Sequence, residues 1–394
     1  MAGSTKTTQP PVIIIPKQTV HDNSEERWRP KRPRLLTVLL TILALIAMIH
    51  LIAVAHQGDL GVAPTTCTEL MRNTDYTQMV HLQAKTQEMG AVQFVNQLVG
   101  GQPATLVQVV NSDAQNTLDV YIYGCTKQQH TPHLVSLFAQ HGLPQGTASV
   151  SASNTLVLGQ LDTSLSPQAA AMVQPLQQNI YREYRWLNGS FVQVDYPSLY
   201  PVTSRSEAEA LQQQATSGQS LPWSDPLATA EQMAKDIFKW PGSSSQDSIA
   251  NNNGVTAQVQ LFQQNPSLQI TVTLERLVQH NNTGLWFVTA ATSSGITLAQ
   301  PQSGSSISSP VTVNGTGGLT DGQTTATLFD HTYTPLSLLN NPTLSTDSTG
   351  TFNGMLFYGN NAPHQEGLLL VQSTPPVGST EMGQLMLTKV LIGS

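Results

Sequence analysis

The apolar run from Leu35 to Ala55 places the strongest constraint on how this chain is organised. It reads LLTVLLTILALIAMIHLIAVA and holds no Asp, Glu, Lys or Arg over 21 residues. At about 1.5 Å per residue, a helix of this length spans the roughly 30 Å hydrocarbon core of a bilayer. The sequence therefore predicts a single transmembrane helix over residues 35–55.

Basic residues before this run set its predicted orientation. Five of them stand close together: Arg27, Arg29, Lys31, Arg32 and Arg34. By the positive-inside rule they keep the N-terminus in the cytoplasm, so residues 56–394 are expected on the outer side of the cell membrane. The lipid bilayer is then the expected partner of the helix. The small-x-small triplet Ala53-Val54-Ala55 leaves another interpretation open, a signal peptide cleaved after Ala55.

Composition limits the classes of partner. Only 10% of the 394 residues are charged, against about 25% in an average globular protein. The formal net charge is −7, which argues against nucleic acid as the natural partner. The length predicts two or three domains.

Two cysteines, Cys67 and Cys125, both follow the apolar run. In an oxidising compartment two such residues are expected to pair. The sequence therefore predicts one disulfide, which closes a loop of nearly sixty residues in the first module.

The first module is expected to cover residues 67–202, after a short spacer over 56–66. Apolar residues recur at near-helical spacing between Met79 and Val99, and Gly100-Gly101 ends the run, so we expect a helix there. Strands are expected over 104–110 and 118–123, followed by a short helix that begins at Thr131-Pro132.

Residues 181–196 predict a β-hairpin around Asn188-Gly189, the preferred pair for a type I′ turn. The expected register pairs Leu187 with Ser190 and Trp186 with Phe191, and it brings Arg182 opposite Asp195. Cross-strand aromatic and opposite-charge pairs support a hairpin.

The second module is expected over residues 203–299. Ser204 and Glu207 have the spacing of a capping box, and Asp225-Pro226 begins a second helix. Three strands follow over 255–262, 268–278 and 285–291. Two helices before an antiparallel meander resemble the cystatin-like and nuclear-transport-factor-like roll, which implies helices packed on one sheet face.

After a linker over 300–306, the remainder has only strand and turn patterns. The segment ISSPVTVNGT over 307–316 resembles the opening strand of the immunoglobulin-like domain of bacterial spore-germination proteins. Later runs over 325–330, 350–358, 367–372 and 384–392 match further strands of that family. The resemblance implies a β-sandwich over 307–394 that serves as a binding or spacer unit.

Taken together, these patterns predict an α+β chain. Its expected parts are a disordered basic tail, a transmembrane helix, two α+β modules and an immunoglobulin-like sandwich, over residues 1–34, 35–55, 67–202, 203–299 and 307–394.

Chemistry-bearing motifs are scarce. His130, His133 and His141 stand near one another, but zinc sites need three or four ligands and none of the other usual ligand spacings is present. Asp225, Glu207 and Asp195 are each better explained as caps or an ion-pair partner than as a glycosidase acid and base. The sequence therefore predicts no catalytic residue, no metal site and no cofactor.

Three aromatic residues near the boundary of the first two modules are the candidate ligand contacts. They are Tyr196, Tyr200 and Trp223, each close to a proline. A groove between the modules would use them for a glycan or a peptide, and packing between the modules is the alternative.

The function expected from these features is non-enzymatic binding, scaffolding or sensing in the bacterial cell envelope, with an envelope protein, a peptide or a glycan as partner. Two alternatives stay open. One is a bitopic subunit of a secretion or conjugation complex. The other is an extracytoplasmic hydrolase with an unrecognised site, for which His133 and Asp195 are the residues to test.

Overall fold

The structure is a computed structural model, and it describes residues 66–393 apart from positions 84, 129, 174, 337–342 and 360–363. The described part of the chain is mostly β, with 48% of its residues in strands and 15% in helices. The predicted α+β class is therefore wrong. The main cause is that two segments expected to be helical are long paired strands.

No helix in the described part of the chain is long and apolar enough to cross a membrane. The longest one there has 12 residues, whereas a spanning helix needs about 20. On this finding the predicted single-pass membrane location is corrected. The apolar run 35–55 lies outside the described residues, as do the basic residues before it: Arg27, Arg29, Lys31, Arg32 and Arg34.

The first four strands form one antiparallel meander in the order β1-β2-β3-β4. Two short helices, α1 and α2, pack on one face of it, where Tyr76 contacts Val107 and Tyr123. The elements are α1 (Cys67–Asn73), α2 (Tyr76–Met79), β1 (Gln87–Val99), β2 (Gln102–Asn111), β3 (Leu118–Gln128) and β4 (Thr131–Leu143).

The helix expected between Met79 and Val99 is wrong, because most of this segment is β1. Two irregularities in the pairing of β1 with β2 explain the misleading spacing. Between Met89 and Val92 the strand β1 advances three residues while β2 advances two. Such a bulge adds a residue to one strand and makes a three-residue apolar step compatible with a strand. Gly100 and Gly101, with φ of 58° and 83°, form the hairpin turn rather than a helix end.

The short helix expected from Thr131 is also wrong. Thr131 pairs with Gln128, and the pairing of β4 with β3 continues to Leu143 opposite Leu118. Because only two residues separate Gln128 from Thr131, the chain turns back at once and β4 completes the edge of the sheet. Near the end of β4, Gly142 donates its amide to the Asp119 carboxylate at 2.8 Å.

The second sheet has the order β5-β6-β7-β8 and packs on the first. The hairpin at Asn188-Gly189 is confirmed, with Leu187 opposite Ser190 and Trp186 opposite Phe191. The expected pair of Arg182 with Asp195 is wrong, since β8 ends at Val194 and Arg182 donates to Gln160. The elements are β5 (Thr147–Val150), β6 (Leu156–Leu161), α3 (Pro167–Met172), β7 (Asn179–Leu187) and β8 (Ser190–Val194).

Two helices and four strands follow. The capping box of Ser204 and Glu207 is confirmed, as is the Asp225 cap of the next helix. The second helix packs Ala230 and Met233 on one face of the sheet. The elements are α4 (Arg205–Thr216), α5 (Pro226–Asp236), β9 (Ser248–Asn252), β10 (Thr256–Gln264), β11 (Ser267–Glu275) and β12 (Phe287–Thr292).

The last eight strands continue this sheet. Strand β12 is hydrogen-bonded to β20, so the sheet runs without a break past the expected linker 300–306. The strands are β13 (Thr297–Gln300), β14 (Ser306–Ile307), β15 (Val311–Thr316), β16 (Gln323–Phe329), β17 (Thr343–Thr346), β18 (Thr351–Leu356), β19 (Gln365–Thr374) and β20 (Gln384–Ile392).

Strands β19 and β20 are covered on both faces. Leu368 and Leu387 belong to the core under α5, whereas Leu369 and Val390 belong to a second core shared with β15 and β18. This two-sided burial explains the unbroken apolar run LLLV in β19. The shared strands join both cores into one body.

Candidate functional site

The three aromatic residues expected to contact a ligand are packed between elements. Tyr196 is 2% exposed and Tyr200 is 4% exposed, and the two belong to different core clusters. Trp223 packs against both clusters. The Tyr200 hydroxyl donates to Asp236 at 2.7 Å, and the Arg205 guanidinium lies 5.0 Å from the centre of the Tyr196 ring. The arrangement is that of interior packing.

The predicted disulfide is confirmed. Cys67 and Cys125 are bonded, with their Cα atoms 5.6 Å apart. The bond ties the start of α1 to β3 and so holds the two short helices against the first sheet.

The three neighbouring histidines lie on or beside β4. His141 approaches the Asp119 carboxylate at 3.5 Å and is largely exposed. His133 lies on β4, in the first sheet, whereas Asp195 follows the last strand of the second sheet. Within the described ranges, no group of three or more His, Cys, Asp or Glu side chains is placed to hold a metal ion.

A buried ion pair lies where the C-terminal strands meet the segment before α4. The Lys389 ammonium contacts the Glu366 carboxylate at 2.5 Å, and it donates to the backbone carbonyls of Ser198 and Thr203. An ammonium has three donors, and each has an acceptor here. Both charged side chains are 2% exposed. The pair is therefore closed to a substrate and serves to anchor the 198–203 segment.

Sequence reasoning missed this pair. Burial raises the pKa of the Glu366 carboxyl to about 7, although the Lys389 ammonium lowers it. Glu207, also buried close by, has its pKa raised by burial. The sequence offered one signal for this pair, the lysine inside the apolar run LTKVLI. A lysine in a buried strand needs a buried partner.

An open polar face lies on the opposite side of the sheet from α5. Strand β10 alternates, so that Val259 and Leu261 enter the core while Gln258, Gln260 and Phe262 stay on the other face. Strand β11 alternates in the same way, which leaves Gln269, Thr271 and Thr273 beside them. This face displays amides and hydroxyls at strand spacing.

Hydrogen bonds between side chains order part of this face. Gln269 donates its amide to the Gln260 carbonyl oxygen at 2.9 Å, and Gln260 donates to the Thr271 hydroxyl at 2.9 Å. These contacts cross from one strand to the next. The amide groups are therefore held in place before any ligand arrives, which lowers the entropy cost of binding.

A groove of about 300 Å³ opens at the end of this ladder, and we name it the sheet groove. Its walls are the Gln260, Gln269 and Thr271 side chains, the turn after β12 at Ser293, and residues 382–384, where β20 begins. Ser293 is fully engaged, since it donates to the Gln269 carbonyl and accepts the Leu385 amide. The volume of the sheet groove is at the lower end of the range for ligand pockets.

One wall of the sheet groove carries an acceptor with no partner. The side-chain oxygen of Gln384 is buried, and nothing in the described part of the chain donates to it. An unsatisfied buried polar atom costs about 1–3 kcal/mol.

The sheet groove was not foreseen from the sequence, although a signal exists. The segment AQVQLFQQ alternates apolar and amide residues, and LQITVTLE alternates apolar residues with Gln and Thr. The outward row of β10 holds no charged residue, and that of β11 holds only Glu275 at its end. This is unusual, because charged residues normally fill solvent-facing positions. The wall contributed by 382–384 comes from a distant segment and cannot be read from local pattern.

Comparison of the chain with models of protein families, with curated proteins and with solved structures finds no match. The resemblance of residues 204–299 to the cystatin-like roll and that of the last ~90 residues to an immunoglobulin-like domain therefore stay predictions.

Proposed function

We propose that this chain is a non-enzymatic binding protein that holds a neutral glycan in the sheet groove. The observation that carries the proposal is the preformed ladder of Gln269, Gln260 and Thr271 beside the unsatisfied oxygen of Gln384. The proposal keeps the binding class expected from the sequence and assigns it a site other than Tyr196, Tyr200 and Trp223.

The groove favours an uncharged polar ligand. No ionisable side chain lines it within the described ranges, so a charged ligand would lose hydration without gaining a partner. Amides and hydroxyls both donate and accept, which suits the many hydroxyls of a sugar ring.

The sheet groove runs across the strands, and this direction favours a glycan over a peptide. Its contacts run across the sheet, from residues 382–384 through Gln269 to Gln260 on β10. An added peptide strand would instead run along a strand edge and bind backbone groups. Side chains on the face of the sheet are the contacting groups here.

The lining also explains why binding without reaction is proposed. Glycoside hydrolysis uses two carboxyl groups on opposite sides of the scissile bond. The residues that line the sheet groove contribute amides, hydroxyls and the Met382 side chain. The Ser293 hydroxyl is held by backbone groups and has no histidine among its contacts.

The test is calorimetric titration with hexamers of glucose and of N-acetylglucosamine in several linkages. We expect one series to bind and to be recovered intact. Gln384→Ala and Gln260→Ala should each weaken binding roughly three- to tenfold, as expected for a lost hydrogen bond. Gln258→Ala is the matched control, because Gln258 lies on the same strand and face but outside the groove.

Two results would contradict the proposal. One is that no hexamer binds. The other is that the Gln260 and Gln384 variants bind a hexamer as tightly as the unaltered protein and the Gln258 control.

A further inference from the structure

A second groove lies at the end of β10, beyond its pairing with β9, and we name it the edge groove. It has a volume of about 440 Å³ and lies between the loop 240–245 after α5 and the hairpin 262–265. Like the sheet groove, it has no ionisable residue in its lining within the described ranges.

The two grooves meet at one cross-strand pair. Phe262 lines the edge groove, and its partner in the register of β10 with β11 is Gln269, which lines the sheet groove. Phe262 is partly buried, and its pairing with Gln269 places it between the two grooves. An aromatic ring at this position offers an apolar surface to a sugar face.

Hydrogen bonds to the Asp247 side chain hold the two walls of the edge groove together. The two carboxylate oxygens of Asp247 accept the backbone amides of Ser244 at 2.6 Å and of Phe262 at 2.8 Å. The loop and the strand are thereby held at a set separation. Trp240 is 6% exposed and supports the loop from the core.

Like the sheet groove, the edge groove is lined by a glutamine whose side-chain oxygen is buried without a partner within the described ranges. The side-chain oxygen of Gln263 is buried and has no donor within the described ranges, while the Gln263 amide donates to the Asn265 carbonyl at 3.2 Å. Each of the two uncharged grooves is therefore lined by a glutamine whose side-chain oxygen is buried without a partner within the described ranges.

From this juxtaposition we infer that the two grooves are subsites of one site, which takes a linear neutral oligosaccharide lying from residues 382–384 across Phe262 to the loop 240–245. The inference rests on the proposed function, because it assigns the same ligand class to the second groove. It adds that the ligand is an oligomer and that affinity comes from both subsites.

Linked subsites predict a dependence on chain length. Once the first ring is bound, the next binds at a high effective concentration. The affinity should therefore rise from dimer to hexamer in the series that binds, and then level off when both grooves are filled.

The experiment compares dimers and hexamers in calorimetric titrations of the unaltered protein and three variants. Ser243→Trp places a large side chain on the exposed lining of the edge groove, and Ser220→Trp is the matched control on an exposed loop outside both grooves. We expect Ser243→Trp to weaken hexamer binding about tenfold or more and to leave dimer binding unchanged. Gln263→Ala should act in the same direction with a smaller loss.

The outcomes separate the two proposals. If hexamer and dimer bind equally well, or if Ser243→Trp leaves hexamer binding unchanged, the oligomer inference is wrong while glycan binding stands. If neither length binds, the proposed function fails and the inference fails with it.

Discussion

At the scale of single residues, Lys389 and Glu366 show how a charged pair is kept inside a β-rich body. The pair is buried, and the ammonium also holds the carbonyls of Ser198 and Thr203. Removing one partner of such a pair leaves an uncompensated buried charge, which costs about 3–5 kcal/mol. The pair is therefore expected to be sensitive to pH as well as to substitution.

The pKa of Glu366 predicts the sign of that pH dependence. Its pKa rises from 4.5 to about 7 on folding because the carboxyl is buried. Between these values the folded chain binds more protons than the unfolded chain, so this group's contribution to stability is complete below pH 4.5 and is lost as pH rises through 7. One pKa unit corresponds to about 1.4 kcal/mol, so the loss is about 3 kcal/mol at most.

Urea unfolding at pH 5 and pH 8 measures this contribution. In Glu366→Gln the free energy of unfolding should fall less between the two pH values than in the unaltered protein. Glu381→Gln, on an exposed loop, is the control and should keep the original slope. An identical slope in Glu366→Gln would show that this carboxyl does not titrate in the window.

At the scale of elements, the turn at Gly100-Gly101 decides whether residues 87–99 form a strand. Gly101 has a φ of 83°, and a Cβ there would meet no atom within 4 Å. Any loss on substitution therefore reports backbone strain alone. We expect Gly101→Ala to lower the free energy of unfolding by about 1–2 kcal/mol.

Gly101→Asn is the matched variant for this turn, because Asn tolerates the left-handed region better than Ala. It should lose less stability than Gly101→Ala in the same urea titration. Equal stability of Gly101→Ala and the unaltered protein would mean that the turn does not have this backbone conformation in solution.

The disulfide is a second feature at the scale of elements that is expected to stabilise the fold. It closes a separation of 58 residues, and the chain-entropy account gives about 4 kcal/mol for a loop of that size. The double variant Cys67→Ala/Cys125→Ala should lose stability by that order in urea unfolding. If the double variant unfolds at the same urea concentration, the bond does not constrain the unfolded chain in this way.

Secondary structure was predictable where the pattern is local. The Asn188-Gly189 hairpin, the Ser204 capping box and the strands around 256–292 follow from turn residues, caps and two-residue alternation. The segments 87–99 and 131–143 were misread because bulges shift the apolar period of a strand away from two. A bulge depends on the partner strand, which local sequence does not reveal.

At the scale of the whole molecule, β19 and β20 join two cores. Neighbouring residues on β19 point in opposite directions, with Leu368 in the core under α5 and Leu369 in the core with β15 and β18. Both are fully buried. The apolar run indicated burial on both faces, but not that the pairing partner of β20 is β12, about 95 residues earlier in the chain.

Shared strands predict one cooperative unfolding transition for the two cores that β19 and β20 join. Leu368→Ala and Leu369→Ala should each cost about 2–5 kcal/mol, and each should move the same single transition, followed by tryptophan fluorescence and circular dichroism. Two resolved transitions, one moved by each variant, would mean that the cores unfold independently.

In the proposed function, the amide ladder of the sheet groove contacts a neutral glycan. Nuclear magnetic resonance of the side-chain amide groups, recorded during titration with the hexamer series, tests it most directly. We predict that the signals of Gln260, Gln269 and Gln384 shift together and saturate, while that of Gln258 stays in place. Signals that do not move for any series, or shifts confined to residues outside both grooves, would contradict the claim.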